Sequence, residues 1–499
     1  MGLHRLASGA LAALGASLLL APAASAEDVV VASFDGTPIE AHWFPQPGLA
    51  PGAQAPTVLM GPGWGSPGDE RVDRDPIRAL HGAGYNVLTW DPRGFGDSGG
   101  TVTIDSPQFE GRDAQALLDW VAARPEARLD GPGDPRAGMT GGSYGGGIQL
   151  VLAAIDRRVD VIVPTIAWHS LKTSLFKNET PKLGWAGLLY GSTASRPLDP
   201  HIPEAFRQAS ELGTASAETV QWFTDRGPGP LVGDITVPTL LIQGTVDTLF
   251  TPQEAIDNLA ILRRNDVPAK MLWYCGGHGI CLTDPGPEDR PQAATLAWLR
   301  RYLDGDASVD TGPGFDWVDQ RGKVFTSPSY PPAKAGRIAA TGAGRLRLIE
   351  EGGAGPVTDG EGADLIGSAS KGITPARADN AVEVTAGSVG KRRAHVVGAP
   401  RVKLTYRGTA PAGERPTRVF AQLVDETTGH VLGNQITPIQ VTLDGQRRTV
   451  TRRLEPVAHT LRGGEEVTLQ LVATTVAYSK PRLGGSVRFS AARLTLPLV

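Results

Sequence analysis

Between a short apolar run, Arg136-Ala137-Gly138-Met139-Thr140, and a second one, Gly146 to Ala154, the chain reads Gly141-Gly142-Ser143-Tyr144-Gly145. The first run reads as a short buried strand, and the second is helix-like with an apolar face. A G-x-S-x-G pentapeptide at such a junction is a nucleophile elbow, which presents a serine hydroxyl on a sharp strand-to-helix turn with a base nearby. Side chains at Gly141 or Gly145 would collide with neighbouring backbone in so tight a turn. Ser143 is therefore the candidate nucleophile.

An elbow of this kind requires an acid and a base later in the chain, in the order Ser, Asp, His. Pro238-Thr239-Leu240-Leu241-Ile242-Gln243-Gly244 reads as a buried strand, and Asp247 lies just past its end. A helical stretch, Thr251 to Arg264, leads to another strand, Ala269 to Tyr274, which ends in Cys275-Gly276-Gly277-His278-Gly279. Imidazole titrates near neutrality and can take and return a proton, so His278, in a glycine-rich loop at a strand end, is the candidate base. The other imidazoles are placed less well. His42 precedes the nucleophile, His81 lies in a helical stretch, His169 and His201 fall in an insertion, and His395, His430 and His459 lie far downstream.

The reaction also needs donors for a developing oxyanion. One is the backbone NH of Tyr144, the residue after the nucleophile. The second is assigned to the Trp64 NH in Gly61-Pro62-Gly63-Trp64-Gly65, which follows the strand Thr57-Val58-Leu59-Met60. An ordinary glycine turn around a packed tryptophan is the alternative reading of that segment.

Taken with Trp90-Asp91-Pro92-Arg93-Gly94-Phe95-Gly96-Asp97-Ser98-Gly99-Gly100, these residues resemble the α/β-hydrolases related to X-Pro dipeptidyl peptidases (peptidase S15) and cocaine-esterase-like acyl hydrolases. The resemblance covers nearly the whole chain after its first residues. It implies an α/β-hydrolase fold with a helical cap, a C-terminal β-sandwich of the jelly-roll type, and a triad of Ser143, Asp247 and His278. Relatives often carry a tyrosine in the oxyanion turn, where this chain has Trp64. Asp91 and Arg93 read as a buried ion pair or loop brace.

His4 and Arg5, an apolar stretch from Leu6 to Ala21, and Ala24-Ser25-Ala26 together read as a signal peptide cleaved after Ala26, giving a secreted or extracytoplasmic chain. The apolar run is short of the roughly 20 residues of a spanning helix, and no later segment qualifies, so no integral membrane segment is expected in the mature chain; retention as an uncleaved anchor is the alternative reading. Its removal takes one arginine and no acid, leaving a chain one unit more negative than the full-length −4. Such a charge gives no electrostatic reason to expect a nucleic-acid partner.

The only two cysteines, Cys275 and Cys281, bracket His278. In an oxidising compartment they are expected to form a disulfide that limits the freedom of the base loop; two buried thiols are the alternative. With no obvious fourth ligand, zinc is not expected. No other metal and no cofactor is expected either.

Between the strand Asp160 to Ile166 and the strand at Pro238 lies an insertion too long for a simple crossover. It reads as a cap over about 167–232, rich in Trp, Phe, Leu and Tyr, with helix-like pieces at Pro203 to Leu212 and Ala217 to Asp225. Most of its aromatics are expected to be core, and Trp168, just past a strand end, is the candidate wall of an acyl pocket. The catalytic domain is thus read as 27–305 and a polar linker as 306–314, with a sandwich over 315–499 assembled from short β-type runs. Those runs include Arg345 to Ile349, Arg401 to Tyr406, Thr417 to Val424 and Glu466 to Ala473, separated by turns such as Pro411-Ala412-Gly413. A carbohydrate-binding, cleft-framing or dimerising role is open for the sandwich.

The reading is a two-domain serine hydrolase acting on a small-molecule ester, amide or short peptide. An X-Pro dipeptidyl peptidase is the alternative within chemistry, and it would need an anionic pocket for the substrate's amine. A catalytically silent binding protein is the alternative from another class.

Overall fold

A computed structural model describes residues 26–358, 365–387, 393–411 and 416–499. The leader expected over 1–26 lies outside these residues except for Ala26, as does most of the Pro411-Ala412-Gly413 turn.

The first part of the chain builds a ten-stranded sheet. Its strands are β1 (Glu27–Ala32), β2 (Pro38–Phe44), β3 (Thr57–Met60), β4 (Asn86–Trp90), β5 (Ala137–Gly142), β6 (Val159–Thr165), β7 (Thr239–Gly244), β8 (Ala269–Tyr274), β9 (Phe315–Val318) and β10 (Val324–Ser327). They lie in the order β1-β2-β4-β3-β5-β6-β7-β8-β9-β10. From β4 to β9 every neighbouring pair is parallel, and antiparallel strands close both edges. Parallel strands need helical crossovers that cover both faces, which explains their almost unbroken apolar sequences. One face buries Leu59, Leu88, Met139, Ile162, Leu241 and Met271 beneath the helices Glu110–Ala122, Tyr144–Ile155 and Pro252–Arg264. The opposite face buries Val58, Val87, Val161, Leu240 and Leu272 beneath Ile77–Gly82 and Arg290–Tyr302.

β9 and β10 correct the expected domain boundary. The segment 315–327, assigned from sequence to the sandwich, instead completes the hydrolase sheet: Met271 pairs with Phe315 and Leu272 with Asp316. The cause is aromatic burial. Phe315 packs edge-on against Trp273 at 5.1 Å between ring centroids and stacks on Trp317 at 5.2 Å, while Lys270 pairs with Asp316 at 2.9 Å. The linker is not a free spacer either, because Lys270 Nζ donates to Thr311 O at 2.5 Å.

The C-terminal region contributes β11 (Gly336–Arg347), β12 (Ala381–Gly387), β13 (Ala394–Gly398), β14 (Arg401–Thr409), β15 (Pro416–Asp425), β16 (Val431–Thr442), β17 (Arg447–Arg453), β18 (Val457–Leu461), β19 (Glu466–Val472) and β20 (Ser486–Leu498). One sheet runs β17-β14-β20-β13-β18, with β11 also on β20; the other runs β12-β19-β15-β16. Val402, Leu404, Leu494 and Leu496 of the first sheet meet Val384, Val419, Leu423 and Leu469 of the second in one core. This is a sandwich, as the alternating runs implied.

The cap comprises the helices Leu171–Leu175, Leu183–Thr193, His201–Arg207 and Ala217–Thr224, with a π-turn at Gln208–Leu212. It is tied to the sandwich by Ser479 Oγ donating to Ala209 O at 2.9 Å, Arg418 Nη2 to Gly213 O at 2.8 Å, and a Lys177–Glu455 ion pair at 2.8 Å. No described helix is long and apolar enough to cross a membrane.

Candidate active site

Four candidate residues sit just beyond the carboxyl ends of parallel strands in the middle of the sheet: Trp64 after β3, Ser143 after β5, Asp247 after β7 and His278 after β8. This is the edge at which open α/β sheets place their sites. Ser143 has φ 58° and ψ −116°, a backbone state that side-chain-bearing residues rarely adopt. The turn survives because the backbone around it is close-packed. A Cβ on Gly145 would overlap Gly61 O, and one on Gly141 would lie 2.6 Å from the same oxygen. The elbow and the oxyanion turn are therefore pressed backbone to backbone, and the two glycines allow it.

His278 Nδ1–H donates to Asp247 Oδ2 at 2.7 Å, and Ser143 Oγ–H donates to His278 Nε2 at 2.8 Å. Asp247 is fully buried, and its other oxygen accepts the backbone NH groups of Leu249 at 3.0 Å and Phe250 at 2.8 Å. With both oxygens occupied, the carboxylate holds the imidazole with Nδ1 protonated and Nε2 free to accept. Phe250 and Trp185 stand edge-on to the His278 ring at 5.1 and 5.7 Å.

The oxyanion candidates differ in what their side chains do. The Trp64 indole NH donates to Leu189 O of the cap at 3.1 Å, so it replaces no tyrosine hydroxyl, and only the backbone NH is left for an oxyanion. The Tyr144 hydroxyl is turned inward, donating to Glu110 Oε1 and accepting from the Asp105 NH, both at 3.3 Å. Burial pushes the carboxyls of Glu110 and Asp105 upward, Asp105 well above its ordinary range. These two buried acids beneath the elbow had no sequence signature.

Asp91 and Arg93 do not pair with each other. Asp91 accepts from the NH groups of Gly68 and Asp97, each at 2.7 Å, and a Cβ on Gly96 would overlap its carboxylate. Arg93 donates to Asp113 at 2.9 and 2.6 Å and to Asp35 at 2.8 Å. Each braces the loop separately.

Above Ser143 opens an apolar cleft lined by Trp64, Ile104, Trp168, Leu175, Phe176, Leu189, Ile202, Phe223 and Phe250, among others. Trp168 forms part of its floor, tilted against Phe250 at 4.9 Å between ring centroids. Among the described residues the lining holds no carboxylate and one cation, Lys182. Burial pulls that amine down to about 8, and it donates to Thr248 O at 2.9 Å and Leu249 O at 2.7 Å. Cys275 and Cys281 are joined in a disulfide. Among the described residues, no cluster of His, Cys, Asp or Glu suits a metal ion.

The family model of the X-Pro dipeptidyl-peptidases (S15 family) matches residues 35–279. The chain is an S15-like hydrolase. Solved structures similar to this S15-like hydrolase include a CocE/NonD family hydrolase from Staphylococcus aureus, 11% identical with a TM-score of 0.69 over 95% of this chain and 93% of that one. An alpha-amino acid ester hydrolase is 13% identical with a TM-score of 0.73, covering 97% and 98%. An aminopeptidase from a marine sediment Thaumarchaeota archaeon is 12% identical with a TM-score of 0.69, covering 98% and 99%. At these identities the likeness is one of fold. Among curated proteins, an uncharacterized protein of Mycobacterium tuberculosis is 32% identical over 127 residues, 25% of this S15-like chain and 40% of the relative's own length.

Sequence reasoning did not find Trp185, Phe250 or Lys182 as neighbours of the site, nor the sandwich residues Ser370, Asn434 and Gln435 that touch its loops. A Gly433-Asn434 dipeptide signals a turn, but nothing in sequence says what that turn faces.

Proposed function

We propose that the chain is a secreted serine hydrolase that cleaves esters of apolar, uncharged acyl groups through an acyl-enzyme. The observation that carries this reading is the continuous Ser143–His278–Asp247 hydrogen-bond chain, 2.8 and 2.7 Å, at the base of an apolar cleft. Ser143 attacks the acyl carbon as His278 takes its proton. Asp247 keeps the imidazole in the correct tautomer and stabilises its charged form. The backbone NH groups of Trp64 and Tyr144 hold the oxyanion, His278 returns the proton to the leaving alkoxide, and water then repeats the attack to free the acid.

The family name and the ester-hydrolase and aminopeptidase neighbours raise the alternative of substrates bearing a free α-amine. A buried ammonium needs a paired anion, and the described cleft lining has no carboxylate to supply one. The apolar lining favours a neutral acyl chain. Secretion is supported by the leader pattern and by the disulfide. The position and Greek-key-like strand order of the C-terminal sandwich support a jelly roll.

The test is a panel of p-nitrophenyl esters of increasing acyl length beside X-Pro-anilides and amino-acid esters, run on wild type and Ser143→Ala. Preferred turnover of neutral acyl esters, lost in Ser143→Ala, is expected. Faster turnover of the α-amino substrates would transfer the chain to the peptidase reading, and a wild type inert to both substrates and a fluorophosphonate probe would make it a binding protein.

A further inference from the structure

Strand β16 of the sandwich is broken at one place, and the break faces the site. In its pairing with β15, Gln422 opposes Ile436 but Val424 opposes Val431, so residues 432–435 leave the ladder. Gly433 and Asn434 both take left-handed backbone angles there, φ 59° and 57°. Bulges that redirect side chains are characteristic of strands beside active sites, and a left-handed non-glycine persists only when its surroundings over-determine it. The surroundings here are the acid and base loops. Gln435 Nε2 donates to Asp247 O at 2.8 Å, and Asn434 Nδ2 donates to Ile280 O at 2.8 Å. A third donor comes from the helix Leu365–Ile373, where Ser370 Oγ bonds His278 O at 3.0 Å. All three side chains are buried, at 3% exposure for Asn434, 6% for Gln435 and 2% for Ser370.

We propose that Asn434, Gln435 and Ser370 are positioning residues for the hydrolytic reaction, a clamp by which the C-terminal sandwich sets the distance between Asp247, His278 and Ser143. This rests on the serine-hydrolase reading above. The acid loop, 245–250, and the base loop, 275–281, are irregular, so no helix or sheet ladder satisfies their carbonyls. The sandwich satisfies the carbonyl of the acid itself, of the base itself, and of Ile280 two residues beyond the base. The loops also meet each other tightly, since a Cβ on Gly279 would overlap Val246 O. A small displacement of either is therefore transmitted to the 2.7 Å bond between imidazole and carboxylate. Misplacement of about 1 Å at a reacting group costs on the order of a hundredfold in rate. None of the three residues lines the acyl cleft, so the clamp acts on turnover and leaves ground-state binding alone.

The test uses the full chain with Gln435→Met, which keeps the shape and removes the donor, and Asn434→Gly, which suits the left-handed backbone and removes the amide. The expected result is a fall of about 10- to 100-fold in kcat and in the rate of fluorophosphonate labelling of Ser143, with KM for a short p-nitrophenyl ester unchanged. Amide hydrogen exchange should quicken in 245–250 and 275–281 and stay the same across the sandwich core. Wild-type kcat in both variants, or an exchange increase spread evenly through the sandwich, would overturn the clamp in favour of simple domain docking. If wild type itself fails to react with the probe, the hydrolase reading falls, and the exchange pattern still decides whether these residues hold the two loops.

Discussion

Trp185 of the cap stands edge-on to His278, with ring centroids 5.7 Å apart and an interplanar angle of 83°. Its indole NH donates to Thr248 Oγ1 at 3.0 Å, in the loop that carries Asp247. One cap residue thus touches the candidate base and the loop of its acid partner, while Phe250 packs on the imidazole from the acid loop itself. Aromatic pairs of this geometry contribute about 0.5–1.5 kcal/mol beyond burial. Trp185→Ala is expected to lower kcat about 2- to 10-fold per titrated active site, the same energy expressed as a rate. Trp185→Phe should retain most of the activity. Burst titration with a p-nitrophenyl ester measures both, and equal losses in the two variants would assign the effect to the indole NH instead of the ring.

Asp247→Asn probes the tautomer. The substituted amide can keep its oxygen on the NH groups of Leu249 and Phe250 only by turning its NH2 toward Nδ1, which moves the imidazole proton to Nε2 and faces it at Ser143. A loss on the order of 10⁴ in kcat with a preserved melting temperature is expected. Steady-state kinetics beside a thermal melt checks this, and a loss under tenfold would remove Asp247 from the triad.

The Cys275–Cys281 bridge closes a short loop around the base. Replacing both with serine should lower stability by about 2 kcal/mol in the chain-entropy account of so short a loop, and should lower kcat while KM holds. Asn434 still anchors Ile280, so activity should fall and not vanish. Urea denaturation and initial rates, each compared with the oxidised wild type and with a reduced wild type that should match the variant, provide the measurement.

Trp168→Ala should change the ranking of acyl chain lengths, because Trp168 is both cleft floor and support for Phe250. Truncating a buried tryptophan costs about 3–5 kcal/mol, so the variant should also melt earlier. An equal loss for every ester would mean that packing, and not selectivity, is its role.

Burial pulls His459 down from 6.5 to about 4, against the opposing charge of Asp425. Between those two values the unfolded chain binds a proton that the folded one does not, so stability rises with pH across that window and is lost as pH falls through it. His459 sits at the seam between the domains, beside Gln320, whose Nε2 lies 3.3 Å from its Nε2. His459→Gln should flatten the slope of melting temperature against pH from 6.5 down to 4. An unchanged slope would place the acid sensitivity elsewhere, for example in Glu455, whose carboxyl Lys177 holds low despite its burial.

Much of this molecule is legible along the chain. β3 and β8 have the limits their apolar runs imply, and β5, β6 and β7 match to within two residues. The elbow and the candidate acid and base follow one another at strand ends because a parallel sheet must bring successive loops to one edge. Apolar periodicity records that a strand is buried, but not in which sheet. Phe315–Val318 therefore looked like the first strand of the sandwich, although its aromatics bury against Trp273. The pattern likewise passed over β13, β17 and β18.

The sequence alone singled out the candidate residues, because Ser, Asp and His in that order on turns at strand ends are the local pattern that such a reaction requires. Tertiary structure decided everything that depends on chain segments far apart in sequence. It turned the Trp64 indole away from the oxyanion and onto Leu189, separated Asp91 from Arg93, and brought Gln435 to Asp247 across nearly 190 positions. The physical reason is that a hydrogen bond from a side-chain amide depends on a few tenths of an ångström of packing between domains, and no residue pattern along one strand records where another domain's carbonyl will lie.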